Sequence, residues 1–291
     1  MAKAQKKTTK KAAKKAPAKR RTTKRKTTAK KTVKKTTKKA VRKPLQPQIP
    51  KKIALTWQGA LRLVNDRVVK LNTPRGHGTG FHIGNFGTND NLCAIATAYH
   101  VVDGVHEWGE PIKVVHEATG EEILLKEKDR AVFTYPKKDL AVMLFVKPKK
   151  FNLPKTQIEL IPSGSYLVPG VDVAWCGYPG LMSGQLCFFH GFISCHISGD
   201  YLIDGVAING VSGGPVFYID ANSNRPKIAG VITAYIPNRR SSGDSLPGVS
   251  MITSIAPCED TIKSLRSLGE AKKEAAEQKK DEDKTKDTKG E

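Results

Sequence analysis

The sequence predicts an all-β fold for its central part, because short apolar runs alternate with turn residues from about residue 53 to residue 268. Patterns with a long helical period are scarce in this region. Many short strands with closely spaced turn signals are typical of a β-barrel or a β-sandwich. The two ends differ from the centre, since a basic segment precedes it and a mixed-charge segment follows it.

The predicted strands form two groups, separated by a break near residues 161–164. They are residues 68–72, 79–83, 92–98, 112–115, 122–125, 131–135 and 140–146, then 171–176, 185–197, 206–208, 215–219, 227–234 and 249–253. One short helix is expected over residues 258–268, with Ile262 and Leu265 on its apolar face and Gly269 as its stop. The sequence therefore divides into a basic tail (1–52), two β units (53–162 and 163–269) and a charged tail (270–291).

Positive charge is concentrated at the N-terminus. Residues 1–52 contain 23 of the 50 Lys and Arg residues and no Asp or Glu, so the formal net charge of +23 lies wholly in this tail. We expect the tail to be disordered, because it has little apolar surface and its like charges repel. The charged tail at the other end has seven Lys against eight acidic residues and is expected to be a frayed helix or a coil.

The basic tail is expected to bind DNA or RNA without sequence preference, because Lys and Arg release condensed counterions from phosphates and aromatic residues for base stacking are almost absent. Its texture is similar to linker-histone tails and to the basic arms of viral coat proteins. A nuclear-localisation signal, a tether to polyanions or acidic membranes, and a solubility tag are the alternatives. The residues expected to contact nucleic acid are Lys14, Lys15, Arg20, Arg21, Lys24, Arg25, Lys26, Lys34, Lys35, Lys38 and Lys39.

Cysteine usage and hydropathy favour an intracellular protein, in the cytoplasm, nucleoid or nucleus. No apolar signal-peptide region follows the basic N-terminus, and no apolar run is long enough for a transmembrane helix. An odd number of cysteines without CxxC spacing favours free thiols in a reducing compartment. These cysteines are Cys93, Cys176, Cys187, Cys195 and Cys258.

Neither a metal nor a cofactor is expected. Cys187, His190, Cys195 and His196 are possible zinc ligands, but side chains of one long strand alternate between its faces and cannot converge on a tetrahedral site. No glycine-rich loop that could cradle a phosphate is present. The remaining histidines show no ligand-like spacing and are interpreted as surface or loop residues: His77, His82, His106 and His116.

Three segments carry residues suited to nucleophilic catalysis. His100 follows an apolar strand in TAYHVV, Asp139 opens another in KKDLAV, and Ser212 lies in NGVSGGPV. A serine hydroxyl becomes a useful nucleophile when an imidazole accepts its proton and a carboxylate holds that imidazole in the right tautomer. Gly210 allows a tight turn, so that its N–H and that of Ser212 can both point at a developing oxyanion.

These segments resemble, in the same order, the His, Asp and Ser segments of trypsin/chymotrypsin-like serine proteases. GTGF before the histidine and PGVS near the end of the β region are similar to further family segments. The resemblance implies two packed antiparallel six-stranded β-barrels whose cleft joins the triad of His100, Asp139 and Ser212. It also implies an oxyanion hole at Gly210 and Ser212, and a serine endopeptidase acting on protein substrates.

The sequence departs from the family at several positions. Val211 replaces the Asp or Asn before the nucleophile, so activation by insertion of a new N-terminus is not expected. Val101 replaces a cysteine, which removes the usual disulfide. Val206 at the expected pocket base favours small or medium apolar P1 residues, because a charged side chain would be buried without a partner. The residues expected to bind substrate are Val206, Asn209, Thr233, Ala234, Tyr235 and Ser250.

Two other functions stay open at this point. One is a nucleic-acid-packaging or coat-like protein on a protease fold, as in alphavirus core proteins, whose new C-terminus occludes the cleft after one cut in cis. The charged C-terminus of this chain, which continues well past the β region, suits such occlusion poorly. The other is an inactive binding module that keeps only the protease fold.

Overall fold

The computed structural model describes residues 54–87, 91–182, 184–239, 241–243 and 245–287. The predicted nucleic-acid-binding tail lies outside these described residues. The described part is mostly β, as predicted, and its helices are α1 (Trp57–Asn65), α2 (Tyr99–Glu107) and α3 (Ala256–Asp287). The strands of the first sheet are β1 (Val68–Thr73), β2 (Gly76–Phe86), β3 (Leu92–Ala98), β4 (Ile112–His116), β5 (Glu121–Leu125), β6 (Arg130–Tyr135) and β7 (Leu140–Val146). Those of the second sheet are β8 (Asp172–Gly177), β9 (Cys187–Ile197), β10 (Asp200–Asp204), β11 (Pro215–Asp220), β12 (Arg225–Arg239) and β13 (Ser245–Ser254).

The first sheet is a half-barrel rather than the closed six-stranded barrel expected. Its seven antiparallel strands run in the order β5-β4-β1-β2-β3-β7-β6. A side chain takes the place of a β5–β6 ladder, because the guanidinium of Arg130 donates to the backbone oxygens of Leu125 (2.8 Å), Val105 (3.0 Å) and Glu110 (2.6 Å). The carbonyl at the end of β5 is thereby satisfied without a neighbouring strand.

Both faces of the central strands of the first sheet are buried. On β3, Cys93 and Ile95 point into the core enclosed by the half-barrel, whereas Ala94, Ala96 and Ala98 point into the core shared with the second sheet. Side chains of a strand alternate between faces, so a strand buried on both sides must be apolar throughout. This explains the apolar run over residues 92–96 of β3.

The second sheet closes into a six-stranded barrel with the order β10-β13-β12-β11-β8-β9, as predicted. The strand predicted at residues 206–208 is absent, and β10 forms just before it. The physical reason is a side chain: Ser250 Oγ donates to Gly205 O and accepts from Ala207 N–H, both at 2.7 Å. These side-chain bonds occupy backbone groups that a ladder would otherwise use.

Two helices were not predicted, and the third is longer than expected. In α1, Thr56 caps the first turn by accepting from Gly59 N–H at 3.1 Å, while Ala60 and Val64 are buried. α3 begins at Ala256 and continues through Gly269, so the predicted stop is wrong. The Ala, Glu, Lys and Gln residues after Gly269 are strong helix formers, which is why one glycine does not end the helix. Among the described residues, no helix combines the length and apolar character required to cross a membrane.

Candidate functional site

The carboxylate of Asp139 holds the start of α2. Ala98, the residue before this helix, offers no side-chain cap. Instead, Tyr99 N–H donates to the backbone oxygen of Asp139 at 3.1 Å, and His100 N–H donates to its Oδ1 at 2.9 Å. A negative charge at a helix N-terminus is favourable, because the first N–H groups of the helix have no partner within it. Asp139 therefore caps α2 from a distant part of the chain.

The same carboxylate binds the imidazole of His100. Asp139 Oδ2 lies 2.7 Å from His100 Nδ1. This hydrogen bond raises the pKa of His100 above its ordinary value, while burial opposes the rise and the charges of Asp139 and Asp103 add to it. A proton held on Nδ1 leaves Nε2 as the basic nitrogen of the ring.

Ser212 lies in a turn before β11, in the nucleophile loop (residues 209–214). Most carbonyls of this loop accept a hydrogen bond. Asn209 O accepts from Gly180 N–H (2.7 Å), Val211 O from Gly214 N–H (2.9 Å) and Ser212 O from Thr79 N–H (2.8 Å). Within the described residues, the N–H groups of Gly210 and Ser212 have no acceptor. The loop thus presents two unpaired amides, which is what an oxyanion hole needs.

Two glycines in this loop have positive φ, at +95° for Gly210 and +88° for Gly213. A Cβ on Gly210 would lie 2.5 Å from Tyr178 O and 2.6 Å from His77 Nε2. A Cβ on Gly213 would lie 2.0 Å from Thr79 O. Both backbone conformation and space therefore require glycine at these two positions.

A cavity of about 240 Å³ joins the predicted triad serine and histidine. Its walls come from the β1–β2 turn, from α2 and from the nucleophile loop. The residues that line it are Thr73, Arg75, Gly76, His77, His100, Val101, Asp103, Gly104, Val105, Asn209, Gly210 and Ser212. His100, which is hydrogen-bonded to Asp139, and Ser212 thus line the same cavity.

The predicted substrate-binding residues differ in their burial and in whether they line the cavity. Of the six, only Asn209 lines this cavity. Ser250 is fully buried, and both hydrogen bonds of its hydroxyl go to the segment 205–207. Val206 is about half exposed, at 46%. Their role in binding substrate stays a prediction.

Thr233, Ala234 and Tyr235 lie on β12 beyond Val231, the last residue that pairs with β11. From there on, β12 pairs with β13 alone in the described part of the chain. Thr233 is buried, whereas Ala234 and Tyr235 are exposed. In the described residues, β11 therefore pairs with β12 only as far as Val231, and Ile232 bonds the nucleophile loop instead.

Sequence reasoning missed three residues of this site: Thr79, Asp103 and His77. For Thr79, the sequence offers one signal, a hydroxyl residue between two glycines. Asp103 was missed because it lies on α2, a helix that was not predicted. His77, interpreted as a surface or loop residue, lines the cavity, with Nε2 3.1 Å from Tyr178 O. His82 and His116 were placed wrongly, because both are only 2% exposed.

No group of three or more His, Cys, Asp or Glu side chains in the described residues could hold a metal ion. His190, one of the zinc ligands considered, pairs with Asp172 at 3.1 Å and packs on the ring of Trp57. The thiols of Cys93, Cys176 and Cys258 are buried, and burial raises the pKa of Cys93 to about 12.

A closed β-barrel beside a half-barrel, with an Asp-bound histidine and a serine loop lining one cavity, defines the class of chymotrypsin-fold serine proteases. The sequence profile of the trypsin-like peptidase domain matches residues 78–223, and the chain belongs to this family. This confirms the resemblance found in the sequence. No curated protein matches the chain.

Two solved structures show the same fold. The serine endoprotease from Yersinia pestis is 19% identical with a TM-score of 0.53, over 74% of this chain and 68% of that one. The HtrA-type protease AlgW with a decapeptide is also 19% identical, with a TM-score of 0.51, over 72% of this chain and 66% of that one.

Proposed function

We propose that the protein is a serine endopeptidase with Ser212 as nucleophile, His100 as general base and acid, and Asp139 as the carboxylate that orients His100. The amides of Gly210 and Ser212 form its oxyanion hole. One observation carries the proposal: the imidazole bound to Asp139 at 2.7 Å lines the same cavity as Ser212 and its loop of unpaired amides.

Peptide hydrolysis by these residues proceeds in two halves. Ser212 Oγ attacks the carbonyl carbon of the scissile bond, and its proton passes to His100 Nε2. Asp139 stabilises the resulting imidazolium, and the two amides stabilise the oxyanion. The C–N bond then breaks as His100 returns the proton to the leaving amine. Water repeats the sequence on the acyl-enzyme and releases Ser212.

Substrate would bind as an extended chain beside residues 233–235 of β12, with an apolar P1 side chain toward Val206. An apolar base disfavours Lys and Arg at P1, since their charge would lose its hydration without gaining a partner. A peptide library should therefore show cleavage after small or medium apolar residues. Strong cleavage after Arg would contradict this specificity while leaving the catalytic assignment standing.

Activity should not need trypsin-style activation. Val211 is fully buried in the shared core. Its apolar side chain offers no charge that could pair with a newly formed N-terminus. Cleavage near residue 50 should leave the rate of hydrolysis within about twofold of the uncut chain, since Val211 carries no charge that a new N-terminus could pair with.

A fluorophosphonate probe tests the catalytic assignment directly. The wild-type protein should form a covalent adduct at Ser212, and Ser212→Ala should form none. His100→Ala should label far more slowly, because the nucleophile then lacks its base. A wild-type protein that does not react would favour the inactive binding module considered from the sequence.

The basic tail is the second part of the proposal: it tethers the peptidase to nucleic acid, so that proteins bound nearby become substrates. Support comes from the charge distribution, because residues 1–52 hold 23 basic and no acidic residues, while the rest of the chain has 27 of each sign. Affinity should fall steeply as salt rises, in proportion to the phosphates neutralised.

Deletion of residues 1–52 tests this tether, with DNA and RNA of unrelated sequences measured at several salt concentrations. A matched control keeps the length of the tail and replaces all 23 of its Lys and Arg residues by Gln. Both variants should lose binding and keep fluorophosphonate labelling. Unchanged nucleic-acid affinity after the deletion would refute the tether. Unchanged affinity in the Gln variant would refute its electrostatic basis.

A further inference from the structure

Thr79 on β2 holds the nucleophile loop at two points. It is fully buried. Its N–H donates to Ser212 O at 2.8 Å, and its hydroxyl donates to Gly210 O at 2.7 Å. A single residue of the half-barrel therefore fixes two carbonyls on either side of Val211, in the other half of the molecule.

The same hydroxyl also binds a second loop, residues 178–180, which contacts the nucleophile loop. Thr79 Oγ1 accepts from Tyr178 N–H at 3.0 Å, and Tyr178 O lies 3.1 Å from His77 Nε2. Two residues further on, Gly180 N–H donates to Asn209 O at 2.7 Å. Residue 178 is thus held at both its amide and its carbonyl, which places Gly180 to bind the start of the nucleophile loop.

These contacts decide where the unpaired amides point. A peptide group is planar and trans, so its N–H lies opposite its C=O. With Asn209 O held by Gly180, the N–H of Gly210 must point away from that bond. The N–H of Ser212 is set in the same way, because Val211 O is held by Gly214 at 2.9 Å. The intervening peptide is the one whose carbonyl Thr79 binds.

We propose that Thr79 is a positioning residue for the oxyanion hole, acting through its hydroxyl on the peptides of residues 209–212. This inference rests on the proposed function. Valine has nearly the shape of threonine but would leave Gly210 O and Tyr178 N–H without partners. The peptide between Gly210 and Val211 could then rotate to satisfy its carbonyl elsewhere. Because it links the two peptides that carry the unpaired amides, its rotation would turn one of those amides out of the site.

The test compares steady-state kinetics of Thr79→Val and Thr79→Ser on one peptide substrate. Removal of one oxyanion donor costs about 100- to 1000-fold in kcat, so misaligning one should lower kcat of Thr79→Val by about 10- to 100-fold. KM should change by less than about threefold, because the hole acts on the transition state rather than on bound substrate. Thr79→Ser keeps the hydroxyl and should retain kcat within about threefold.

Thr261→Val is the matched control. It removes another buried hydroxyl, one that bonds Tyr135 and does not line the cavity. It should lower the thermal midpoint without lowering kcat. If Thr79→Val does not fold, Thr79→Cys must show the same loss in kcat, because a thiol is a weak donor of similar size.

The outcomes separate the two proposals. Wild type that reacts with fluorophosphonate, together with Thr79→Val at full kcat, overturns the role of Thr79 and leaves the peptidase standing. The role of Thr79 is also overturned if Thr261→Val loses as much kcat as Thr79→Val, or if Thr79→Ser does not restore kcat. Wild type that does not react overturns the peptidase and the positioning role together.

Discussion

Asp139 combines a strained backbone with two binding tasks. Its φ of +48° lies in the left-handed region, which is uncommon for a residue with a side chain. In this conformation, the backbone oxygen and both carboxylate oxygens reach Tyr99 and His100 at the start of α2. The strain is offset by these bonds, and it sits at the residue that orients the proposed base.

Substitutions of Asp139 should separate these tasks. Asn tolerates the left-handed region and keeps one capping oxygen, so Asp139→Asn should fold with a thermal midpoint near that of wild type. Its kcat should drop by about 10³- to 10⁴-fold, because the amide no longer selects the tautomer of His100 or stabilises its cation. Circular dichroism melts and steady-state kinetics give the two readouts.

Asp139→Ala is the contrasting variant. It loses the cap and puts a Cβ without polar atoms into the left-handed region, so it should be less stable by about 1–3 kcal/mol in addition to being inactive. Equal thermal midpoints for the two variants would contradict the capping role. Full activity in Asp139→Asn would contradict the catalytic one.

The raised pKa of His100 predicts the pH dependence of hydrolysis. The base must be neutral, so kcat/KM should rise with pH, with a midpoint above the ordinary histidine value of about 6.5. Asp103 contributes to this rise through its charge, and Asp103→Asn should move the midpoint to lower pH. Asp260→Asn, which changes an exposed carboxylate on α3, should leave it in place. A midpoint insensitive to Asp103 would contradict the coupling.

Local sequence motifs were enough to select the catalytic candidates, but they did not reveal the residues that position them. The chemistry of His100 and Asp139 is visible in local motifs, and the structure brings them to 2.7 Å. Thr79 could not be recognised in this way. A buried hydroxyl shows its function only through the chain segments that approach it, and residues 178 and 210 lie far from it in the sequence.

At the scale of elements, strands were predicted well because burial imposes a clear apolar pattern on them. β3 and β7 match their predicted ranges, since both of their faces are buried. α2 was missed because its first turn is stabilised by Asp139, which no local pattern reveals. No strand forms at the predicted residues 206–208, because the hydroxyl of Ser250 bonds backbone groups there that would otherwise join a ladder.

Gly269 offers a test of the long helix α3. It lies within the helix, and an added Cβ would be 3.8 Å from its nearest neighbour, Gly87 N, which is an ordinary contact. Gly269→Ala should stabilise the protein by about 1 kcal/mol, the difference in helix propensity. Chemical denaturation monitored by circular dichroism measures this change.

Gly230→Ala is the control for Gly269→Ala, because the added Cβ would lie 2.3 Å from Thr253 O in the barrel. It should destabilise the protein by about 1–3 kcal/mol through overpacking. If Gly269→Ala were also destabilising, the helix would end near Gly269, as the sequence pattern suggested.

At the scale of the whole molecule, the two sheets share one core. Residues from β2, β3 and β7 pack in the same cluster as residues from the closed barrel. The proposed site spans the two halves, with His100 on one and Ser212 on the other, so its geometry depends on this core remaining intact. We therefore expect conditions that weaken the core to abolish hydrolysis and native structure in one transition.

Acid is one such condition, because of His82. This residue of β2 is only 2% exposed, and it lines a small pocket with Ile158 and Leu160 from the segment after β7 and with Ile228 from the closed barrel. Burial lowers its pKa to about 4, and the charges of Arg67 and Lys147 act in the same direction, while a bond to Asn85 opposes them. The unfolded chain takes up this proton at about pH 6.5, well before the folded protein does.

The free energy of unfolding should therefore be highest above pH 6.5 and fall as pH drops from about 6.5 to about 4, by about 3 kcal/mol for this group. Denaturant titrations at pH 7 and pH 4 measure the fall. His82→Gln cannot titrate and should flatten it, whatever its effect on stability at pH 7. His106→Gln, at an exposed position, should keep the wild-type slope. A slope unchanged in His82→Gln would show that other groups unfold the protein in acid.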